Sequence, residues 1–182
     1  TTGGIAVAVV QWGGESQQQI SLEWTEVATP EDALELADRI ELSPRLIIRA
    51  GTAIAAAVEY SVSLFEQNAF QATRQVIDVS GDGKSNQGDE PERARDLAVE
   101  LGITVNGLAI LNEEPNLDAY FEDRVIGGPS AFVITANDYE GYAEAIRTKL
   151  LREIISVPVA RGNGSPESVS AMHQIADQRA SE

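Results

Sequence analysis

Val76-Ile77-Asp78-Val79-Ser80-Gly81-Asp82-Gly83 begins as an apolar run and ends on an Asp-Gly turn. A short apolar run closed by Gly and Asp reads as a strand buried on both faces. Asp78 is an odd residue inside such a strand, to be satisfied by neighbouring backbone groups or by a place behind a metal ligand. Downstream, Pro91 opens a helix with Ala94, Leu97, Ala98 and Leu101 inward, and Gly102 closes it. A second buried strand follows over residues 103–111. Upstream, the helix after Gly51-Thr52 carries Ile54, Val58, Val62 and Phe65 at helical spacing. Strands alternating with helices predict an α/β, Rossmann-like fold: a mostly parallel central sheet with helices on both faces.

The flanks extend the pattern. Ile5-Ala6-Val7-Ala8-Val9-Val10 is a continuous apolar strand, ended by Gly13 and Gly14. Residues 19–24 alternate, placing Ile20, Leu22 and Trp24 on one face of an antiparallel edge strand after a hairpin. Thr29-Pro30-Glu31-Asp32 starts a helix, with a capping Thr, an early Pro and acids at the positive end of the dipole. Its apolar face is Ala33, Leu36, Ala37 and Ile40. A short helix over 116–123 carries Leu117, Tyr120 and Phe121, and Gly127-Gly128-Pro129 turns the chain into a strand over 131–135. Asn137-x-x-Glu140 reads as a capping box. The helix behind it puts Tyr139, Tyr142, Ala143, Ile146 and Leu150 on one side. These elements make one domain over residues 1–155. Residues 156–182 turn to Gly, Ser, Pro and Ala and read as a linker-like tail, or a short helix starting at Ser165-Pro166-Glu167.

Composition narrows the chemistry. The 182 residues hold 13 basic and 29 acidic side chains, for a formal net charge of −16. The acids are spread evenly, as on a solvated surface, and such a charge opposes nucleic acid or an anionic membrane as partner. A hydrophobic share of 43% is too high for a disordered acidic chain. With no Cys, disulfides, zinc-thiolate sites and thiol catalysis are excluded. His173 is the single His, which leaves no room for a multi-His metal site. No apolar run approaches the roughly 20 residues of a membrane span.

In open parallel sheets, ligands sit at the carboxyl ends of the strands. That directs attention to Gly51-Thr52 and to the loop over 78–89. A phosphate-binding loop ending in Gly83-Lys84-Ser85 would need a Gly where Asp78 stands. A helix–loop–helix calcium loop would run through Asp78, Ser80, Asp82, Gly83, Asn86 and Asp89. It would want a Glu in the last place and a helix in front. Asp, Gly, Ser and Asn also serve any tight strand-to-helix turn, with no ligand at all.

A fourth reading rests on resemblance. Gly51-Thr52-Ala53-Ile54 resembles the Gly-Thr turn of von Willebrand factor type A domains. Val76 to Gly83 resembles the strand and Asp-Gly turn of the same superfamily. The resemblance implies a metal-ion-dependent adhesion site, with Thr52 and Asp82 as anchors for Mg or Mn. Ser80, Asn86 and Asp78 would stand behind them. Mg²⁺ takes oxygen ligands at about 2.0–2.1 Å and keeps several waters. An acidic side chain of a protein partner can then complete the shell. Gln11-Trp12, Trp24-Thr25-Glu26, Pro30-Glu31-Asp32, Asn106-Gly107-Leu108-Ala109-Ile110, Val125 to Pro129 and Lys149 to Glu153 are similar to one bacterial branch of that superfamily. This is the group called domain of unknown function 1194, whose members are typically exported, which implies a periplasmic or secreted protein.

The resemblance also implies a gap. In such domains an Asp-x-Ser-x-Ser motif on a first, central strand precedes the strand seen here at residues 5–10, and no residue before Thr1 supplies it. That strand would lie between residues 5–10 and 76–79. About five buried apolar side chains at roughly 1.5–3 kcal/mol each make it worth about 8–15 kcal/mol, as much as a domain's whole stability. The expectation is that the parent protein or another chain provides it. The expected function is a non-enzymatic protein-binding module. The alternatives are a metal-dependent nucleotide or phosphoester hydrolase using Asp78 and Asp82, and a structural interaction domain with a degenerate metal site.

Overall fold

A computed structural model describes residues 4–47, 51–155 and 169–176. The strands are β1 (Ile5–Trp12), β2 (Gln18–Val27), β3 (Arg74–Gly81), β4 (Ile103–Ile110), β5 (Val133–Ala136) and β6 (Val169–Ala176). The helices are α1 (Pro30–Glu41), α2 (Ile54–Glu66), α3 (Pro91–Glu100), α4 (Leu117–Arg124) and α5 (Tyr142–Ile155). One six-stranded sheet runs in the order β2-β1-β6-β3-β4-β5. Only β2 is antiparallel to its neighbour. The expected α/β class, mostly parallel sheet and antiparallel edge strand are all present.

The core lies mainly on one face of the sheet. Val10, Trp12, Ile77, Val79 and Val105 pack there against Ile54 and Val58 of α2, Ala94 and Ala98 of α3, and Leu117 and Phe121 of α4. Leu108, Ile110 and Ala136 face the other way and meet Ala145 of α5. Alternate residues of β4 therefore serve opposite layers, the period of an extended strand. Gly102 ends α3 as expected, at φ +82°, a conformation that suits Gly above all.

Four local expectations are corrected. The tail was expected as a linker or short helix, yet Val169–Ala176 is a strand. It pairs in parallel with β1 on one side and β3 on the other, in the place expected for a strand absent from this chain. Two open backbone ladders at one position outweigh a weak helical pattern, because buried N–H and C=O groups must be paired.

The apolar stripe of α1 is not buried: no residue of that helix is, and Ile40 of the stripe is 37% exposed. Its start forms as read. Thr29 Oγ1 accepts from Asp32 N, and Asp32 Oδ2 accepts from the Ala28 and Thr29 N–H groups. Those donors, Ala28 first, hold the Asp32 carboxyl below its ordinary range.

In β2 the alternation slips. Register shifts against β1 leave Ile20 and Trp24 on the α2 side, with Trp24 tilted onto Phe65 at 5.5 Å. Leu22 instead lines a cavity of about 190 Å³ with Val9 and Ile40. An inserted residue turns the next side chain to the other face. In α3, Ala94 and Ala98 are buried while Leu97 and Leu101 are exposed, because a single row of small residues makes the contact.

Candidate functional site

The carboxyl end of β3 is where the sequence-marked residues meet. Gly51-Thr52 is stapled to the loop after Asp82. Asn86 Oδ1 accepts from Thr52 N at 2.8 Å, and Asn86 N donates to Thr52 O at 2.8 Å. Ser85 Oγ donates to the same carbonyl at 3.1 Å and Gln87 N at 3.2 Å. Gly51 lies so close to the Gln87 side chain that a Cβ would collide with it. The β1–β2 hairpin joins in, with Ala53 N donating to Gly13 O at 2.8 Å. Thr52 is thereby buried beside the start of α2. Asn86 acts on the Thr52 backbone.

Asp78, Ser80 and Asp82 project from the same side of β3, and all three are buried. Each meets a side chain from the α5 end of the chain. Lys149 forms an ion pair with Asp78 Oδ1, both groups being 1% exposed. The Lys149 ammonium also lies 5.8 Å from the centre of the Phe132 ring. The Tyr142 phenol interacts with the Ser80 hydroxyl, and burial first of all pushes it up to about 12. The Tyr139 phenol donates to Asp82 Oδ2. Asp82 is 3% exposed, and its Oδ1 is buried with no hydrogen-bond partner. No ammonium or guanidinium among the described residues pairs with that carboxylate.

Tyr139, Tyr142 and Lys149 were not read as site residues. Polar residues at every second position of an otherwise apolar strand were the available signal, since buried polar groups require partners. Tyr142 and Lys149, seven residues apart, share one helix face. Tyr139 was placed on that helix by the capping box at Asn137. The helix starts later, because Asp138 Oδ1 accepts from Gly141 N at 2.8 Å and turns the chain there. Tyr139 is left in the preceding loop.

The rim is closed by weaker contacts. Lys84 pairs with Glu114 at 3.1 Å, both about half-exposed, a pair of small energetic weight. Ser85 N donates to the Tyr120 hydroxyl at 3.2 Å. Desolvation raises the Tyr120 phenol above its usual value. Among the described residues, no three Asp, Glu or His side chains gather as a metal-holding group. The donors fit a divalent ion best at Asp82 Oδ1, a buried carboxylate oxygen with no hydrogen bond and, among the described residues, no ion-pair partner. Asp78 and Ser80 are already engaged with α5.

The profile of one family, described as a protein of unknown function (DUF1194), matches residues 1–158. No functionally curated protein matches the sequence. Two solved structures share the fold. One is an aerotolerance-related membrane protein from Bacteroides fragilis NCTC 9343, at 18% identity and TM-score 0.50, covering 81% of this chain and 79% of that one. The other is the conserved hypothetical protein BatB from Bacteroides thetaiotaomicron, at 18% identity and TM-score 0.52, covering 83% and 80%. Among the described residues of this chain, no helix is long and apolar enough to cross a membrane.

Proposed function

The chain belongs to the DUF1194 family, and we propose that its Thr52–Asp82 loop cluster binds Mg or Mn and reads a carboxylate of a protein partner. The observation that carries this is the Asp82 carboxylate, buried, with one oxygen unpaired and no ammonium or guanidinium of the described residues paired with it. A buried anion without a counter-charge is costly, and a divalent ion supplies that charge. Asp82 Oδ1 would be the carboxylate ligand, and Thr52 in the adjoining turn a second oxygen donor. A bound ion would offer an open coordination position to an acidic side chain from outside.

The kinship to von Willebrand factor type A domains is part of this proposal. It is supported by the hydrogen-bonded meeting of the Gly51-Thr52 turn with the loop that follows Asp82. So is the exported setting, which rests on the sequence resemblance. With one carboxylate and one hydroxyl, most of the ion's shell is water, and affinity is weak. Calorimetric titration of Mn²⁺ into the wild type and Asp82→Ala tests the site. Binding in the wild type that disappears in the variant is expected; equal heats in the two proteins would remove the proposal.

A specific observation supports a second reading, a structural interaction domain with a degenerate metal site. Two of the three polar residues on this side of β3 face side chains of α5: Asp78 is ion-paired with Lys149, and Ser80 meets the Tyr142 phenol. Absence of any Mn²⁺ heat in the wild type would favour it. A hydrolase built on Asp78 and Asp82 is not favoured, since Lys149 occupies the Asp78 carboxylate.

A further inference from the structure

We propose that Tyr139 is the positioning residue of the Asp82 site. Its phenol holds one carboxylate oxygen so that the other meets a divalent cation in a fixed direction. This rests on the reading of Asp82 as a metal ligand.

The geometry separates the two oxygens. Oδ2 accepts from the Tyr139 hydroxyl, while Oδ1 is buried and has no partner. The Tyr139 ring is anchored in turn, packing on the small apolar cluster of Leu108, Ile110, Ala136 and Ala145. A carboxylate so held can turn neither to both oxygens on one ion nor away from it. Ligating carboxylates are typically fixed by such outer hydrogen bonds, and losing one costs about 10–100-fold in metal affinity.

The neighbouring contacts sharpen the assignment. Lys149 neutralises Asp78, so that rung of the ladder carries no net charge. Tyr139 is itself neutral. It orients the Asp82 charge without cancelling it and leaves the charge available to a cation.

The test uses the full chain and Mn²⁺ alone, comparing wild type, Asp82→Ala and Tyr139→Phe. Phe keeps the ring packing and removes only the hydroxyl. Tyr139→Phe is expected to bind Mn²⁺ about 10–100-fold more weakly. Water-proton relaxation per bound Mn²⁺ should also fall, because the released Oδ2 can join the ion and displace a water. A purely structural role for the hydroxyl would not change the hydration of the bound ion. If Asp82→Ala abolishes binding while Tyr139→Phe binds as tightly as wild type, or tighter, the role of Tyr139 is overturned and the metal site survives. If wild type and Asp82→Ala behave alike, both fall together.

Discussion

The two sides of β3 are built on opposite principles. On one, Ile77 and Val79 enter an apolar layer shared with α2, α3 and α4. On the other, Asp78, Ser80 and Asp82 meet Lys149, Tyr142 and Tyr139 in turn. The apolar side is non-directional: any well-shaped hydrocarbon adds to it in proportion to area. The polar side depends on particular partners, because a missing one leaves a buried charge or hydroxyl unpaired. One strand thus combines a face that stabilises with a face that discriminates. The candidate site lies where the second face reaches the end of the sheet.

Breaking one partner on the polar side should have the largest effect. Lys149→Met leaves the Asp78 carboxylate buried without its counter-charge and should cost about 3–5 kcal/mol in urea unfolding. Replacing both partners, as Lys149→Met with Asp78→Leu, should recover most of that loss. If the single variant is as stable as wild type, the two faces do not differ in kind.

On the apolar side, Ile77→Ala should cost about 2–5 kcal/mol through lost burial and a residual cavity. No second substitution among its polar neighbours should rescue it. Recovery by Asp78→Asn would show that the two layers are coupled through the strand.

The smallest effect is a pH dependence. Burial holds the Tyr142 phenol up at about 12 in the fold, above its ordinary value near 10. A raised folded value means that stability is intact below pH 10, where the phenol is protonated folded or unfolded. It is lost as pH rises from about 10 to about 12, because the unfolded chain ionises first. Two pH units of difference correspond to about 2.7 kcal/mol at most. Tyr142→Phe should flatten the stability profile in that window, with little change at pH 7. A profile unchanged by the substitution would assign the alkaline loss to another group, such as Tyr120.

Local chemistry made much of this legible. Continuous apolar runs marked β1, β3 and β4; Thr29 and Asp32 marked the start of α1, and Gly102 the end of α3. Each of these signals acts within a few residues, through capping, φ preference or side-chain period. Gly51-Thr52 and Asp82 were likewise visible as turns at strand and helix ends. The site was half legible for the same reason. Its turns are local motifs, while the side chains that complete it arrive from residues 139, 142 and 149.

Composition, the order of elements up to residue 155 and turn chemistry were therefore legible in the sequence alone. They yield an acidic, cysteine-free α/β chain with a mostly parallel sheet and two marked turns. Tertiary structure alone decided three further things. Val169–Ala176 lies between β1 and β3, although its pattern reads as a weak helix. No residue of the α1 stripe is fully buried, although its amphipathic pattern is clear. Tyr139 holds Asp82 from 57 positions away. Which groups meet across such separations depends on what every other element leaves open, and that competition for partners is resolved only in the assembled sheet.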